Sequence, residues 1–404
     1  MGLTMYPGRF TDKTVGQRQA IIDMNQDRQI RLAKTLGLTH QYYLEPVPHG
    51  LARVRQGAAF PEESEYRRYS NLAEAYVDFS GDSNIGYFGK RVTQIQGLAS
   101  FEEALANVLN RMLIEDFAPA DYRWKDIVTS ITAPRDFRQN MRTRLVYVPD
   151  IPDVPEDQPI LETPMPGTVD PESVTYTIDE KACMFSFTRR VLLSDDVGVI
   201  LRGCKQLGRA AWRTLAKRVW NLLVNNTTYG GDGSAMFCAG HNNLGTVGLN
   251  GPALTAARAA IFAQTEPGGT DRLGLGGGPL LLAVPIELEE MARTLNTAQF
   301  SDLDGQPNRW LGRFGPNCER IFANPIFTNQ LNWFLFDISR SVEIIELGFL
   351  QGRQEPHFDI ADDPLVGEAF TQDRAQYKLR HEYECAILDY RGAYCSTPSI
   401  EGGV

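Results

Sequence analysis

The spacing of apolar positions changes several times along this chain. Residues 1–98 are polar, mixed and weakly periodic, with short helices expected within 17–38 and 62–76 and too little apolar mass for a separate core. A segment of that kind must lean on another surface, and a neighbouring copy is the natural one. From 100 to 116 the pattern turns helical: Leu105, Val108, Leu109 and Met112 share a face, Ser100 is placed to cap, and Glu102 and Glu103 suit the first turn. Residues 142–148 read as a strand, with 175–178 and 184–187 as returning strands. Between them, Pro149, Pro152, Pro155, Pro159, Pro164, Pro166 and Pro171 remove backbone donors, which excludes the centre of a sheet and suits the tip of a long two-stranded arm.

A long helix follows. Ser194, Asp195 and Asp196 are placed to cap it, and Cys204, Leu207, Ala211, Leu215, Val219 and Leu222 keep helical spacing to about Asn226. At ~1.5 Å per residue it would be on the order of 45 Å long. An alanine-rich helix is expected over 251–264 and a glycine-rich connector over 274–278. A buried strand between Pro279 and Pro285 and a helix over 286–295 come next. Strands over 320–323, 333–336 and 342–347 and a long paired strand within 375–394 close the chain. Helices and strands in no regular alternation predict an α+β fold.

Composition narrows the classes. With 404 residues, two or three packed units are expected. A formal net charge of −10 is the opposite of a free-standing DNA-binding protein, so any contact with nucleic acid is expected to be local. No segment has the apolar length of a membrane span, and the first residues carry no secretory pattern, so no membrane partner is expected. Six cysteines without a CxxC pair predict free thiols.

Enzyme motifs mostly fail. The glycines from 274 to 278 precede a strand instead of opening a helix, which is the wrong context for a phosphate cradle. Cys238 and His241 are spaced like half a zinc site and lack a second pair, so His241 is expected to bond to backbone. No enzyme, cofactor or metal site is predicted.

The outstanding feature is a cationic ridge. Arg202, Lys205, Arg209, Arg213, Lys217 and Arg218 lie on the long helix, which has no acidic residue between Val197 and Asn226. Like charges four residues apart repel by a few tenths of a kcal/mol per pair, so a counter-charge is expected. Neighbouring carboxylates, nucleic-acid phosphates and a solvated face remain open.

The order of parts resembles one family, the Hong Kong 97-like capsid subunit of tailed bacteriophages. Residues 232–245, the strand and helix over 279–295, and the closing pattern at 333–336, 346–356 and 377–392 carry the resemblance, which covers roughly residues 100–400. It implies an N-terminal arm over 1–98 and the start of a peripheral domain over 99–134. An extended loop over 135–190, a spine helix with peripheral domain over 191–250, an axial domain over 251–332 and a peripheral return over 333–404 complete it. It further implies hexamers and pentamers closing into an icosahedral shell around double-stranded DNA, weakly and non-specifically touched. Virion location, assembly in the host bacterial cytoplasm, a portal and an optional decoration or cement protein belong to the same picture. Loop residues Arg142, Arg144, Tyr147, Glu156, Asp157 and Glu162 are then expected at contacts between subunits. An encapsulin-type nanocompartment shell of the same fold is the alternative.

Some relatives join subunits through a loop lysine and a peripheral-domain asparagine. Here 148–171 holds no lysine and 362–377 no asparagine. A denaturing gel of assembled particles is therefore expected to show single-chain bands; a ladder of linked oligomers would contradict this.

Overall fold

The computed structural model describes residues 27–35, 40–45, 53–59, 68–69, 72–80, 108, 122–143, 172–188, 197–300, 306–360, 371–372 and 374–398. Its class is α+β, built on two five-stranded sheets. In the first, the strands run Leu244–Gly245, Ala393–Ser396, Trp333–Asp337, Leu280–Val284 and Ile321–Ala323 across the sheet. In the second, the long strand Arg374–Ile387 pairs antiparallel with Asp179–Thr188, His357–Ile360 and Ile345–Phe349, and Ile345–Phe349 pairs in parallel with Val128–Thr132.

The unbroken apolar runs have a simple cause: the first sheet is buried on both faces. Successive side chains on a strand point to opposite faces. Leu281, Ala283, Phe334 and Phe336 enter one core, and Leu280, Leu282, Val284, Trp333 and Leu335 enter another. The first core also takes the second sheet and the long helix Val197–Val224, through Trp212, Leu215, Ala216, Val219, Trp220, Leu222 and Leu223. Trp220 is fully buried beside Phe322, Phe327 and Phe336, and its indole N–H reaches the Tyr122 carbonyl at 2.9 Å. The second core is closed by the helices Gly251–Phe262 and Glu289–Thr297.

Several expectations shift. The strand predicted over 142–148 is Asn140–Thr143, paired with Ser173–Tyr176; positions 144–148 lie outside the described residues. The strand expected at 184–187 does not return along that hairpin. It belongs to Asp179–Thr188, where a ten-residue ladder on the long strand satisfies more backbone groups than the short hairpin offers. The helix expected from Ile286 opens as a 3-10 turn, Ile286–Leu288, because Pro285 enters extended. The boundary drawn between 332 and 333 falls inside one sheet, since Trp333–Asp337 pairs with Leu280–Val284 on one side and Ala393–Ser396 on the other. The expected caps of the long helix and all of 100–116 except Val108 lie outside the described residues.

The N-terminal segment holds more structure than its weak periodicity predicts. His40–Glu45 and Arg53–Ala59 form an antiparallel hairpin. Of the helix expected over 62–76, Leu72–Ser80 is helical and 68–69 are not, while 62–67 and 70–71 lie outside the described residues. Residues 27–35 are helical and tied to it by Asp78, which pairs with Arg28 at 3.3 Å and Arg31 at 3.4 Å.

His381, on the long strand, is buried with Nε2 at 3.2 Å from the Gln354 carbonyl, so that nitrogen carries the hydrogen. Burial pushes the pKa of the imidazole down to about 3 from 6.5. The unfolded chain binds a proton there that the folded chain refuses. The contribution is intact above about pH 6.5 and falls as pH drops, by at most about 1.4 kcal/mol per pH unit. Urea unfolding of the unassembled chain at about pH 7 and pH 5 is expected to show this loss, reduced in His381→Gln. An equal loss in both would rule out His381 as its source.

Candidate assembly interface

Two charged clamps fix the place where the loop leaves the body. The first is built on Glu346, a carboxylate in the buried strand Ile345–Phe349 and 1% exposed. A buried carboxylate must have its lone pairs answered. Arg142 donates Nε–H to both oxygens at 3.0 and 2.8 Å, Thr132 donates its hydroxyl at 2.9 Å, and the Tyr176 hydroxyl donates as well. Burial and the bond to Glu346 push the Tyr176 phenol up to about 12, so it stays a donor. Arg142 and Tyr176 sit on the two strands of the loop base, and Glu346 therefore holds both. Gly348 makes room: a Cβ there would lie 2.8 Å from the Tyr176 hydroxyl oxygen.

The second clamp is Glu172, just before the returning strand. Arg391 reaches it with two nitrogens at 2.9 and 3.2 Å, and the Tyr229 hydroxyl donates to it at 2.9 Å. The Arg391 guanidinium also bonds Asp389 at 3.1 Å and lies 4.5 Å from the Tyr390 ring centre. A cavity of about 450 Å³ is lined by Arg142 and Glu172, together with Ser341, Val342, Glu343 and Leu388.

Tyr390 stacks at 3.6 Å on His241, whose Nδ1 and Nε2 face the Met236 carbonyl at 2.9 Å and Asp232 at 2.7 Å. Partial burial opposes the Asp232 charge, but bonds from His241 and the Ser234 amide hold its carboxyl below the ordinary range. The imidazole bonds to backbone as expected. Among the described residues no group of His, Cys, Asp and Glu is placed to hold a metal. The glycine connector is equally committed: the Gly276 N–H donates to Asp337 and its carbonyl accepts from Arg258.

The predicted site residues separate accordingly. Arg142, expected between subunits, is engaged by Glu346 of its own chain. Arg144, Tyr147, Glu156, Asp157 and Glu162 lie outside the described residues. On the long helix, Arg218 finds its counter-charge in Glu384 of the long strand, Nε to Oε1 at 2.6 Å, and Lys181 approaches the same carboxylate at 3.6 Å. Arg209, Arg213 and Lys217 are exposed, Lys205 is half-buried, and Arg202 is described only as part of the helix.

Sequence reasoning missed Glu346, Glu172, Glu384 and Arg391. A signal existed for Glu346, a carboxylate inside the otherwise apolar strand Ile345–Phe349 and so in a position tolerated only with a partner. Glu384 is hidden among the charged residues of its own strand, Arg374–Ile387. Glu172 and Arg391 lie in polar turns, where no pattern marks them.

The described residues therefore form a body with two cores, a two-stranded pair held by buried charge, and a long helix buried along its C-terminal half. A family model described as phage capsid protein matches residues 171–396, more than half of the chain, and the protein belongs to that family. It is a shell protein of the virion, and the match does not favour the nanocompartment alternative. Among solved structures, the chain is similar to the capsid of a native GTA particle: 11% identity, TM-score 0.43, 69% of this chain and 91% of that one. It is also similar to a chain of Mycobacterium phage Patience, at 10% identity, TM-score 0.43, and 76% and 91% coverage. A virus-like particle from Pyrococcus furiosus matches at 8% identity and TM-score 0.40, covering 71% of this chain and 97% of that one. No curated protein sequence matches.

Glu346→Ala strands Tyr176, Thr132 and Arg142 without their shared acceptor. Breaking a fully buried pair costs about 3–5 kcal/mol. The Arg142 side chain is 42% exposed and can rehydrate, so about 2–3 kcal/mol is expected. In urea unfolding, Arg142→Ala with Glu346→Ala should cost little more than Glu346→Ala alone. Additive losses would show that the two groups are uncoupled.

Proposed function

We propose that this chain is the major capsid protein of a tailed phage, a Hong Kong 97-like subunit forming hexamers and pentamers of an icosahedral shell around double-stranded DNA. The family match carries the shell assignment. The loop base supports the finer reading. Strands Asn140–Thr143 and Ser173–Tyr176 are anchored by Glu346, and Glu172 is anchored by Arg391, which gives the arm of this reading, lying over an adjacent subunit, a fixed base. Its role is structural, with no reaction assigned to it. Assembly takes place in the host bacterial cytoplasm, a portal occupies the entry point, and a decoration or cement protein is compatible with the shell.

The exposed ridge cations Arg213 and Lys217 are assigned to weak, sequence-independent contact with packaged DNA phosphates, a term that salt screens. Arg218 is excluded from that role by Glu384. Electron microscopy of the purified assembly, with nucleic acid assayed inside, tests the whole reading. Closed icosahedral particles holding double-stranded DNA are expected. A discrete small oligomer without shells would overturn it. Arg213→Glu with Lys217→Glu should lower DNA retention and its salt dependence; unchanged retention would rule out the phosphate role and leave the ridge to protein carboxylates or solvent.

A further inference from the structure

Four arginines, Arg258, Arg272, Arg309 and Arg313, line one cavity of about 530 Å³ beside the helix Gly251–Phe262. Its other walls are Thr255, Ala259, Ala263, Phe262 and Trp310, and no carboxylate is among its described lining residues. The arrangement is built into the fold. Trp310 is buried and donates its indole N–H to the Gly251 carbonyl and the Thr255 hydroxyl, both at 3.2 Å, which pins the 309–313 turn against the helix. Arg258 is held by the Gly276 carbonyl at 2.7 Å, and Arg272 lies 5.5 Å from the Phe262 ring centre. Burial and the positive Arg313 depress the Arg258 guanidinium pKa, which places like charges close together. In a protein with ten more acids than bases, this concentration of positive charge calls for an anion.

A matching surface exists on the same chain. Across the first sheet, the helix Gly251–Phe262 packs on Ala393–Ser396 and Trp333–Asp337, and the helix Glu289–Thr297 packs on Ile321–Ala323 and Leu280–Val284 toward the opposite end. The start of that second helix presents Glu287 and Glu290, both exposed, beside Ile286 at 66% and Met291 at 48% exposure. Two acids with two large apolar side chains complement a cavity of arginines with apolar and aromatic walls. Their placement at opposite ends of one layer is what a head-to-tail contact requires, where each subunit offers one patch to one neighbour and the other patch to the next.

We propose that the arginine cavity receives the Ile286–Met291 surface of a second copy of this chain, with Glu287 and Glu290 as its anions. The proposal rests on the shell reading. Arg272→Glu with Arg309→Glu, both at exposed positions, tests it by size-exclusion chromatography and electron microscopy, with circular dichroism checking the fold. Assembly should drop at least about tenfold at a fixed concentration, because like charges then face each other. Glu287→Arg with Glu290→Arg, on a different element, should do the same. All four substitutions in one chain should restore assembly.

Wild-type assembly by either double variant, or no recovery in the fourfold variant, would overturn the contact. Short duplex DNA bound by the wild type and lost in Arg272→Glu with Arg309→Glu, together with no recovery, would assign the cavity to phosphate instead. A wild-type chain that forms rings without closed shells, with the same loss and recovery, would sink the shell reading and uphold the contact.

Discussion

The carboxylate of Glu346 is the constraint on which the rest of the subunit depends. It lies in a strand whose other residues are buried, where an unanswered charge is intolerable. Its partners come from three separate stretches of chain: Thr132 on the parallel edge strand, Arg142 on the outgoing strand and Tyr176 on the returning one. An apolar trio of the same volume would pack at least as stably, since buried ion pairs seldom exceed hydrophobic replacements in energy. What the charge adds is position. A hairpin of four paired residues per strand has little to hold it in register, and Glu346 lets the loop root in one place.

That rooting separates the molecule into parts with different duties. The two cores share one doubly buried sheet, so the body is packed as one piece. The long helix joins this unit through its C-terminal half, where the two tryptophans Trp212 and Trp220 are buried, while Leu207 and Ala211 nearer its start are half-buried. A shell of identical subunits in non-identical surroundings needs a rigid piece and adaptable extensions. Many modest contacts per subunit then add through effective concentration, without any one of them being strong.

Much of this was legible in the sequence for a physical reason. The segments read correctly were those whose residues answer to one local rule. Prolines fence Leu280–Val284, helical spacing marks Val197–Val224, and Asn250 caps the alanine-rich helix by accepting the Ala253 amide. The misplaced segments were those decided by a partner far away in the chain. Asp179–Thr188 was assigned to the hairpin because proximity in sequence favoured it, yet its ladder is formed with residues 374–383. The hairpin His40–Glu45 with Arg53–Ala59 escaped because Gln56 and Gly57 break the alternation begun by Arg53, Val54 and Arg55 that marks a half-buried strand. At the candidate site, Arg142 was named but its partner was not, because nothing local ties position 142 to 346.

The distribution of charge follows from the same logic. The chain carries 50 acidic and 40 basic side chains, so any cation without an acidic neighbour is there by placement and not by excess. Arg218 shows the structural use: it spans from the long helix to Glu384 and ties that helix to the long strand. Lys217, one residue earlier, and Arg213, five residues earlier, lie at other angles because the helix turns about 100° per residue, and both are exposed. One helix therefore uses identical chemistry in two ways. Where the buried face brings a carboxylate within reach, the cation fastens the body. Where it does not, the cation stays outside the body, available to whatever anion the assembled particle brings to it.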